Sequence, residues 1–337
     1  MKPIEIIGGG LAGLSLGLAL RRAGVPVTVS EAGSYPRHRV CGEFIAGLSV
    51  DTIERLGLGP VLHDAQLHHE VAWFIGGKLL RTQRLPAPAR ALSRHALDAR
   101  LAAAFVQAGG RLLTDTRVPA TGDRPGLVCT TGRRRADSPW IGLKIHALNL
   151  PLHRDLELHL GTDAYLGLTR VEDGRVNLCG LFRRRELSAK GPELILAYLR
   201  AAKLTVLAER LAAAQFDPAS FSAVAAVAFD RRFPAADQLA LGDAGAMIPP
   251  FTGNGMAMAF QGAELALNPL VLYAHGRAGW PATSTAIHTA LKNHFRTRLA
   301  AAGFLHPFLL EPPRQRWLTR LAQTRLLPLR PLYSILH

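Results

Sequence analysis

Two glycine-rich segments, one at the amino end and one about 240 residues later, hold the residue types best suited to gripping a nucleotide-like cofactor. In the later one, Leu239-Ala240-Leu241 leads into Gly242-Asp243 and then Pro249-Pro250-Phe251-Thr252-Gly253-Asn254-Gly255. An apolar strand ending in Gly-Asp delivers one carboxylate, Asp243, to the carboxyl edge of an open sheet. Ligands of α/β sheets collect there, and a ribityl hydroxyl can be held there. Pro250 leads into the Gly253-Asn254-Gly255 turn, whose bare backbone can approach a flat ring. The spacing predicts a helix over 254–267, with its positive N-terminus turned to that ring. A reduced isoalloxazine carries negative charge at its pyrimidine end, so charge and dipole match. This segment predicts a flavin.

The amino end supplies the other half. An apolar strand over 4–7 runs into Gly8-Gly9-Gly10-Leu11-Ala12-Gly13, and an apolar helix continues to about Ala23. Gly8 permits the tight turn, Gly10 lets a pyrophosphate lie against backbone N–H groups, and Gly13 permits close helix–strand packing. A second strand, Val27-Thr28-Val29-Ser30, ends at Glu31, 18 residues past Gly13, near the ~20 expected of an acid on an adenosine ribose. A carboxylate there repels a 2′-phosphate, which favours FAD or NAD over NADP. A signal peptide is disfavoured, because one lysine precedes the apolar run and three glycines interrupt it.

With 337 residues and 48% hydrophobic content, the chain can bury a core for one or two domains. No apolar stretch reaches the ~18 residues of a membrane span; the run from Phe221 to Phe229 stops at Asp230-Arg231-Arg232. Cys41, Cys129 and Cys179 are far apart, which excludes a disulfide framework or zinc ribbon and suits a reducing, cytoplasmic compartment. The thirteen histidines form no ligand-spaced cluster, so no metal is expected, and Gln66-Leu67-His68-His69-Glu70 reads as a polar loop or strand end. The net charge of +15 gathers in Arg133-Arg134-Arg135, in Arg183-Arg184-Arg185 and between Arg296 and Arg330. No aromatic-interleaved basic motif accompanies it, so nucleic acid is not the expected partner. Anionic substrates, an acidic carrier protein or an anionic membrane surface fit better. Trp317-Leu318-Thr319-Arg320-Leu321 and Leu326-Leu327-Pro328-Leu329-Arg330 interleave leucines with cations as interfacial helices do, and equally as a solvated capping helix does.

Between the two glycine segments, Ser93 caps a predicted helix over 94–108, followed by short strands at 111–113 and 127–132. From Trp140 to Phe182 the pattern becomes extended, and the alternation in Leu156-Glu157-Leu158-His159-Leu160 predicts a sheet with one wet face. Helical periodicity returns over 192–202. The expected architecture is α/β: a discontinuous Rossmann-like, GR2-type FAD-binding domain over 1–132 and 231–268, with a mostly antiparallel β substrate domain inserted over 133–230. Residues 61–90 are assignable to the substrate side, and 269–337 form a C-terminal helical region.

With both ends of a flavin site placed, the sequence over 1–268 resembles the FAD-dependent oxidoreductase superfamily of para-hydroxybenzoate hydroxylase, geranylgeranyl reductases and flavin-dependent halogenases. Gly8 to Gly13 and Glu31 match that superfamily's adenosine diphosphate site; Gly242-Asp243 and Pro249 to Gly255 match its flavin segment. Arg94-His95-Ala96-Leu97-Asp98 resembles its Arg-x-x-Leu-Asp helix start, which implies that Arg94 contacts the cofactor. Arg39-Val40-Cys41-Gly42-Glu43-Phe44 resembles the loop that geranylgeranyl reductase-like members place beside the flavin, which marks Arg39 and Cys41. The stretch from Ala164 to Gly180 resembles their substrate hairpin, with Leu166 in place of a tryptophan. Thr131-Gly132 stands where many aromatic hydroxylases have an Asp-Gly pair, and no second Gly-x-Gly-x-x-Gly exists. NAD(P)H is therefore a transient electron donor, or a partner reductase fills that role. The Trp-x-Trp-x-Ile-Pro signature of tryptophan halogenases is absent.

Three residues are catalytic candidates. Cys41 reads as a proton donor over the ring or as a small buried hydrophobe. Lys144 and His146 alternate along one strand and so share a sheet face. That face either lines a pocket, where they would anchor an anionic substrate or deliver a proton, or is the wet side of the sheet. The resemblance implies monooxygenase activity, by flavin hydroperoxide chemistry on a hydrophobic aromatic or polyketide-like substrate of secondary metabolism. Two alternatives stay open: reduction of C=C bonds in a prenyl or polyene substrate, and a non-catalytic FAD-binding protein that docks through its basic surface.

Overall fold

The computed structural model of the protein describes residues 1–119, 124–133, 137–229, 238–323 and 335. In chain order its first elements are β1 (Ile4–Ile7), α1 (Leu11–Arg22), β2 (Val27–Ser30), β3 (Phe44–Ile45), α2 (Val50–Leu56), α3 (Gly59–Leu62), β4 (Gln66–Ile75), β5 (Lys78–Ala91), α4 (Arg94–Gln107), β6 (Arg111–Leu113) and β7 (Leu127–Cys129). There follow β8 (Trp140–Leu148), β9 (Leu156–Gly161), β10 (Ala164–Arg170), β11 (Arg175–Arg183), α5 (Glu193–Ala201), α6 (Thr205–Ala212) and β12 (Gln215–Ala225). Three helices close the described chain: α7 (Gly255–Ala274), α8 (Trp280–Leu310) and α9 (Pro312–Gln323).

β1 pairs parallel with β2 and β7, and β6 adds to β2, giving a four-stranded parallel sheet in the order β6-β2-β1-β7. Helix α1 is buried from Leu11 to Leu20, as a helix that is apolar all round must be. Phe105 of α4 and Phe260 of α7 join Ile4, Ile6 and Val29 in the same core. The strand expected at 239–241 contracts to one parallel bridge, Cys129 to Ala240, held by two backbone bonds of 2.8 and 2.9 Å. Its ladder stops because Gly242, at φ +61°, turns the chain away. Ser93 caps α4 through an Ala96 N–H bond of 3.1 Å. Helix α7 runs past the expected end at 267 and through Pro269, because Leu270, Tyr273 and Ala274 continue its buried face.

The second sheet has eight strands, in the order β12-β8-β11-β10-β9-β4-β5-β3. Among the described residues only β4 and β9 of this sheet pair in parallel, and its other pairings are antiparallel. Residues 61–90 supply β4 and most of β5, and the polar stretch 66–70 is the start of β4. On the outer face, Leu143, Ile145, Leu166 and Leu178 pack against Ile195 and Leu199 of α5 and Leu207 and Leu211 of α6.

The wet face expected on β9 does not exist. Glu157 is 0% and His159 3% exposed. The Glu157 carboxylate accepts bonds from Arg210 of α6 (2.7 Å), the His159 ring (2.9 Å) and the His153 N–H (2.6 Å), while Phe74 stacks on His159 at 4.3 Å. Burial works to raise the Glu157 carboxyl, but these partners pull it down to about 2. A charge placed inside this way has its partners supplied by distant segments, so strand alternation alone misreads it. Of the arginine-rich carboxyl end, Arg298 is buried with its guanidinium on Gln261 (2.7 Å), and Trp317 stays 63% exposed. Residues 134–135, 230–232 and 326–330, and the side chains of 318, 319 and 321, lie outside the described residues. Among the described residues no helix is long and apolar enough to cross a membrane.

Candidate active site

A cavity of about 970 Å³ opens between the carboxyl edge of the parallel sheet and the inner face of the eight-stranded sheet. The first wall carries the two glycine segments. The second is largely apolar, with Val71, Leu80, Leu156, Leu158 and Leu181.

Three of the four glycines of the first turn, Gly8, Gly10 and Gly13, have separate physical reasons. Gly8 lies at φ +108°, and a Cβ there would come within 2.4 Å of the Thr130 carbonyl oxygen. At Gly13 a Cβ would sit 2.1 Å from the Gly8 oxygen, so only glycine lets α1 pack this close to β1. Gly10 has ordinary extended backbone, φ −85° and ψ −170°, and a Cβ there would meet nothing within 4 Å. Its missing side chain leaves open cavity at the N-terminus of α1, a cradle that fits a pyrophosphate. The Thr130 hydroxyl donates to the Gly8 carbonyl (2.5 Å) and fixes the turn.

Glu31 lines the cavity, with one carboxylate oxygen accepting the Gly9 N–H (2.7 Å) and the other paired with Arg37. The predicted ribose acid thus also braces the glycine turn. Gly242 and Asp243 line the opposite part of the wall. Surrounding protein desolvates the Asp243 carboxyl and pushes it above the usual carboxylate range. Pro250, Gly253 and Gly255 line the cavity as well, whereas Asn254 is fully buried as the N-cap residue of α7. Gly253 is left-handed at φ +69°, and a Cβ there would strike the Phe44 ring at 2.7 Å.

Arg39 and Arg94 reach the cavity and share one buried anion. Arg94 donates to both Asp98 oxygens (2.7 and 2.8 Å), and Arg39 to one of them (3.0 Å). Burial opposes the Arg94 charge, but Asp98 more than offsets it and keeps Arg94 firmly protonated. The Arg-x-x-Leu-Asp spacing is therefore an i,i+4 clamp that aims its own arginine.

Lys144 and His146 require a correction. Both point to the cavity side of the sheet, yet they are 0% and 1% exposed and form no part of the cavity wall. The loop from His38 to Glu43 covers them. Glu43, itself buried at φ +54°, accepts from the His146 ring (2.7 Å), from the Arg94 N–H (3.0 Å) and from the Lys144 ammonium (3.5 Å). Lys144 also lies 3.1 Å from the His38 ring, which stacks on His95 at 4.5 Å. Burial, and then the Lys144 and His95 charges, hold His38 down to about 4. Neither a wet face nor direct substrate contact describes this pair. It clamps the loop, because a charge buried beside a carboxylate stabilises only in that geometry. Asn177 adds a bond of 2.9 Å to the Cys41 carbonyl.

Cys41 does line the cavity, as does Cys179. Burial raises both thiols, so both are protonated at neutral pH. Sequence reading left Glu43 without a role and passed over His38, His95 and Asp98 as functional groups. Glu43 and His38 meet Lys144 and His146, Asp98 holds Arg39 and Arg94, and His95 stacks on His38, all through tertiary packing. No periodicity marks them.

Residues 2–131 match the family model for the FAD binding domain. Over those residues the chain resembles the FAD-dependent oxidoreductase superfamily. FAD is its cofactor, and the residues present fit it, from the open cradle at Gly10 to the α7 N-terminus. Menaquinone reductase of Mycolicibacterium smegmatis is 28% identical over 130 residues; the match takes in 37% of this chain and 32% of that protein, about a third of its length. Among solved structures, Klebsiella pneumoniae HpxO complexed with FAD and uric acid superposes with a TM-score of 0.77 at 15% identity, covering 99% of this chain and 96% of that one. p-Nitrophenol 4-monooxygenase PnpA of Pseudomonas putida gives 0.76 at 14% identity, covering 100% and 96%. P. aeruginosa PqsL in complex with 2-aminobenzoylacetate gives 0.74 at 17% identity, covering 93% and 97%. The fold of this chain is the fold of these proteins.

Proposed function

We propose that this flavoprotein is a monooxygenase that inserts one oxygen atom into a small hydrophobic substrate, aromatic or polyketide-like, in secondary metabolism. The observation that carries the reading is the cavity of about 970 Å³, whose cofactor wall faces a largely apolar sheet wall. The backbone of Gly8 to Gly13 and the α1 N-terminus would hold the diphosphate, Glu31 the adenosine ribose, and Asp243 the ribityl chain. The 253–255 turn and the α7 N-terminus would face the pyrimidine end of the ring. Bound FAD supplies the activation of molecular oxygen. The protein's share is orientation and dryness: Leu156, Leu158 and Leu181 exclude water from the reacting carbon. Cys41 holds a proton at Sγ beside the cavity. Electrons come from NAD(P)H bound transiently or from a partner reductase. The substrate arrives free or on an acidic carrier protein, and the basic carboxyl end would dock a carrier or an anionic membrane.

The protonated Cys41 favours one other reading, reduction of a C=C bond in a prenyl or polyene substrate, with Sγ protonating the adjacent carbon. Mass spectrometry of products separates the two. Gain of one oxygen that requires air supports the monooxygenase; gain of two hydrogens under anaerobic conditions refutes it in favour of the reductase. A bound flavin that photoreduces but passes electrons to neither oxygen nor a candidate substrate would refute both.

A further inference from the structure

Inside the largely apolar sheet wall, β4 and β5 carry a polar constellation that the cofactor does not explain. Trp73 and Arg81 are direct cross-strand partners, and both line the cavity; Gln83 lines it two residues further along β5. The Trp73 indole N–H and the Arg81 Nη1 are shut off from solvent, and among the described residues neither has a hydrogen-bond acceptor. Among the described residues no carboxylate lies within 4.0 Å of the Arg81 guanidinium, although arginines elsewhere in the site, Arg39 and Arg94, are paired with Asp98. A partly buried guanidinium without an anion is costly. Proteins keep such a group where an incoming ligand supplies the missing charge.

We propose that Arg81, with Trp73 and Gln83, forms a carboxylate subsite, and that the substrate is an apolar molecule bearing a carboxylate at one end. All three side chains can donate, and a carboxylate is the planar acceptor-only group that a guanidinium fork matches. The apolar body of the ligand has a track to follow. From Arg81 the register runs through Trp73 and Leu158 to Gly167 on the cavity face, three strand spacings or about 14 Å. Gly167 leaves room at the end of that row. The subsite rests on the reading of this cavity as the place where substrate meets FAD, and it names the class of that substrate.

The test is calorimetric titration of the holoenzyme with 2-naphthoate and 4-biphenylcarboxylate, each against its primary amide. At least one acid is expected to bind tenfold or more tightly than its amide. Arg81→Met is expected to lower that acid's affinity at least tenfold, to leave the amide within twofold and to melt at or above the wild-type temperature, since among the described residues Arg81 has no carboxylate partner to lose. Arg81→Lys keeps the charge and is expected to recover part of the preference. Equal binding of acid and amide, no binding of either acid, or an acid preference that survives Arg81→Met would overturn the proposal. Flavin absorbance is recorded first. A chain that takes up no flavin refutes the cofactor reading alone, because the acid–amide comparison and its dependence on Arg81 are then read on the same protein without it.

Discussion

Gly10 separates what the fold needs from what the cofactor needs. Its backbone is extended and its missing Cβ faces nothing within 4 Å, so Gly10→Ala introduces neither strain nor a clash in the protein itself. The position is the N-cap of α1, where replacing glycine by alanine costs about 1 kcal/mol or less. The same methyl would stand in the cradle where a pyrophosphate meets the α1 N-terminus. Displacing one or two charge-assisted hydrogen bonds there costs about 3 kcal/mol, roughly a hundredfold in Kd. Gly13→Ala is the converse, because its Cβ would sit 2.1 Å from the Gly8 oxygen and overpacking of that kind costs ~1–3 kcal/mol in the protein alone. The assay is urea unfolding of the flavin-free protein beside FAD titration by fluorescence quenching. The expected pattern is a near-normal unfolding midpoint with lost FAD affinity for Gly10→Ala, and a lowered midpoint for Gly13→Ala. If Gly10→Ala binds FAD as wild type does, the diphosphate does not lie at this turn and the cofactor placement is wrong.

Glu43→Ala strands Lys144, His146 and the Arg94 N–H in a buried space. It is expected to cost about 3–5 kcal/mol in urea unfolding, and Lys144→Met on top of it should restore part of that; a loss under ~1 kcal/mol would mean that Glu43 clamps nothing. His38, held at about 4, stays neutral in the folded protein while the unfolded chain takes up a proton below about 6.5. Stability should therefore fall as pH drops from about 6.5 towards 4, and His38→Gln should flatten that slope; an unchanged slope in the variant would exclude His38 as its source. Arg210→Ala leaves the buried Glu157 carboxylate with the His159 ring and with the N–H and ring of His153, with an expected cost of about 2–3 kcal/mol. Wild-type stability in that variant would show that Glu157 is solvated in solution.

The cofactor half of the site is legible in the chain because its determinants are local. The Gly8 to Gly13 turn, Glu31 at the end of β2, the Ser93 cap and the Gly253-Asn254-Gly255 turn each depend on a few consecutive residues. Their conformations follow from glycine's missing Cβ and from helix-end chemistry. The substrate half follows a different logic. Glu157 with His159, and Lys144 with His146, alternate as a solvated strand face does, and only the arrival of Arg210 from α6 and of the His38–Glu43 loop turns those faces inward. Trp73 and Arg81 carry no motif; their cross-strand register makes them a pair. The sequence by itself determined an FAD-binding α/β chain and the residues that would hold the diphosphate. Only the tertiary structure decided which charges are buried as clamps and that Arg81 faces the cavity with no carboxylate beside it among the described residues. Pairing of a buried charge depends on partners such as Arg210 for Glu157, 53 residues away, and His146 for Glu43, 103 residues away, and one-dimensional periodicity cannot record that distance.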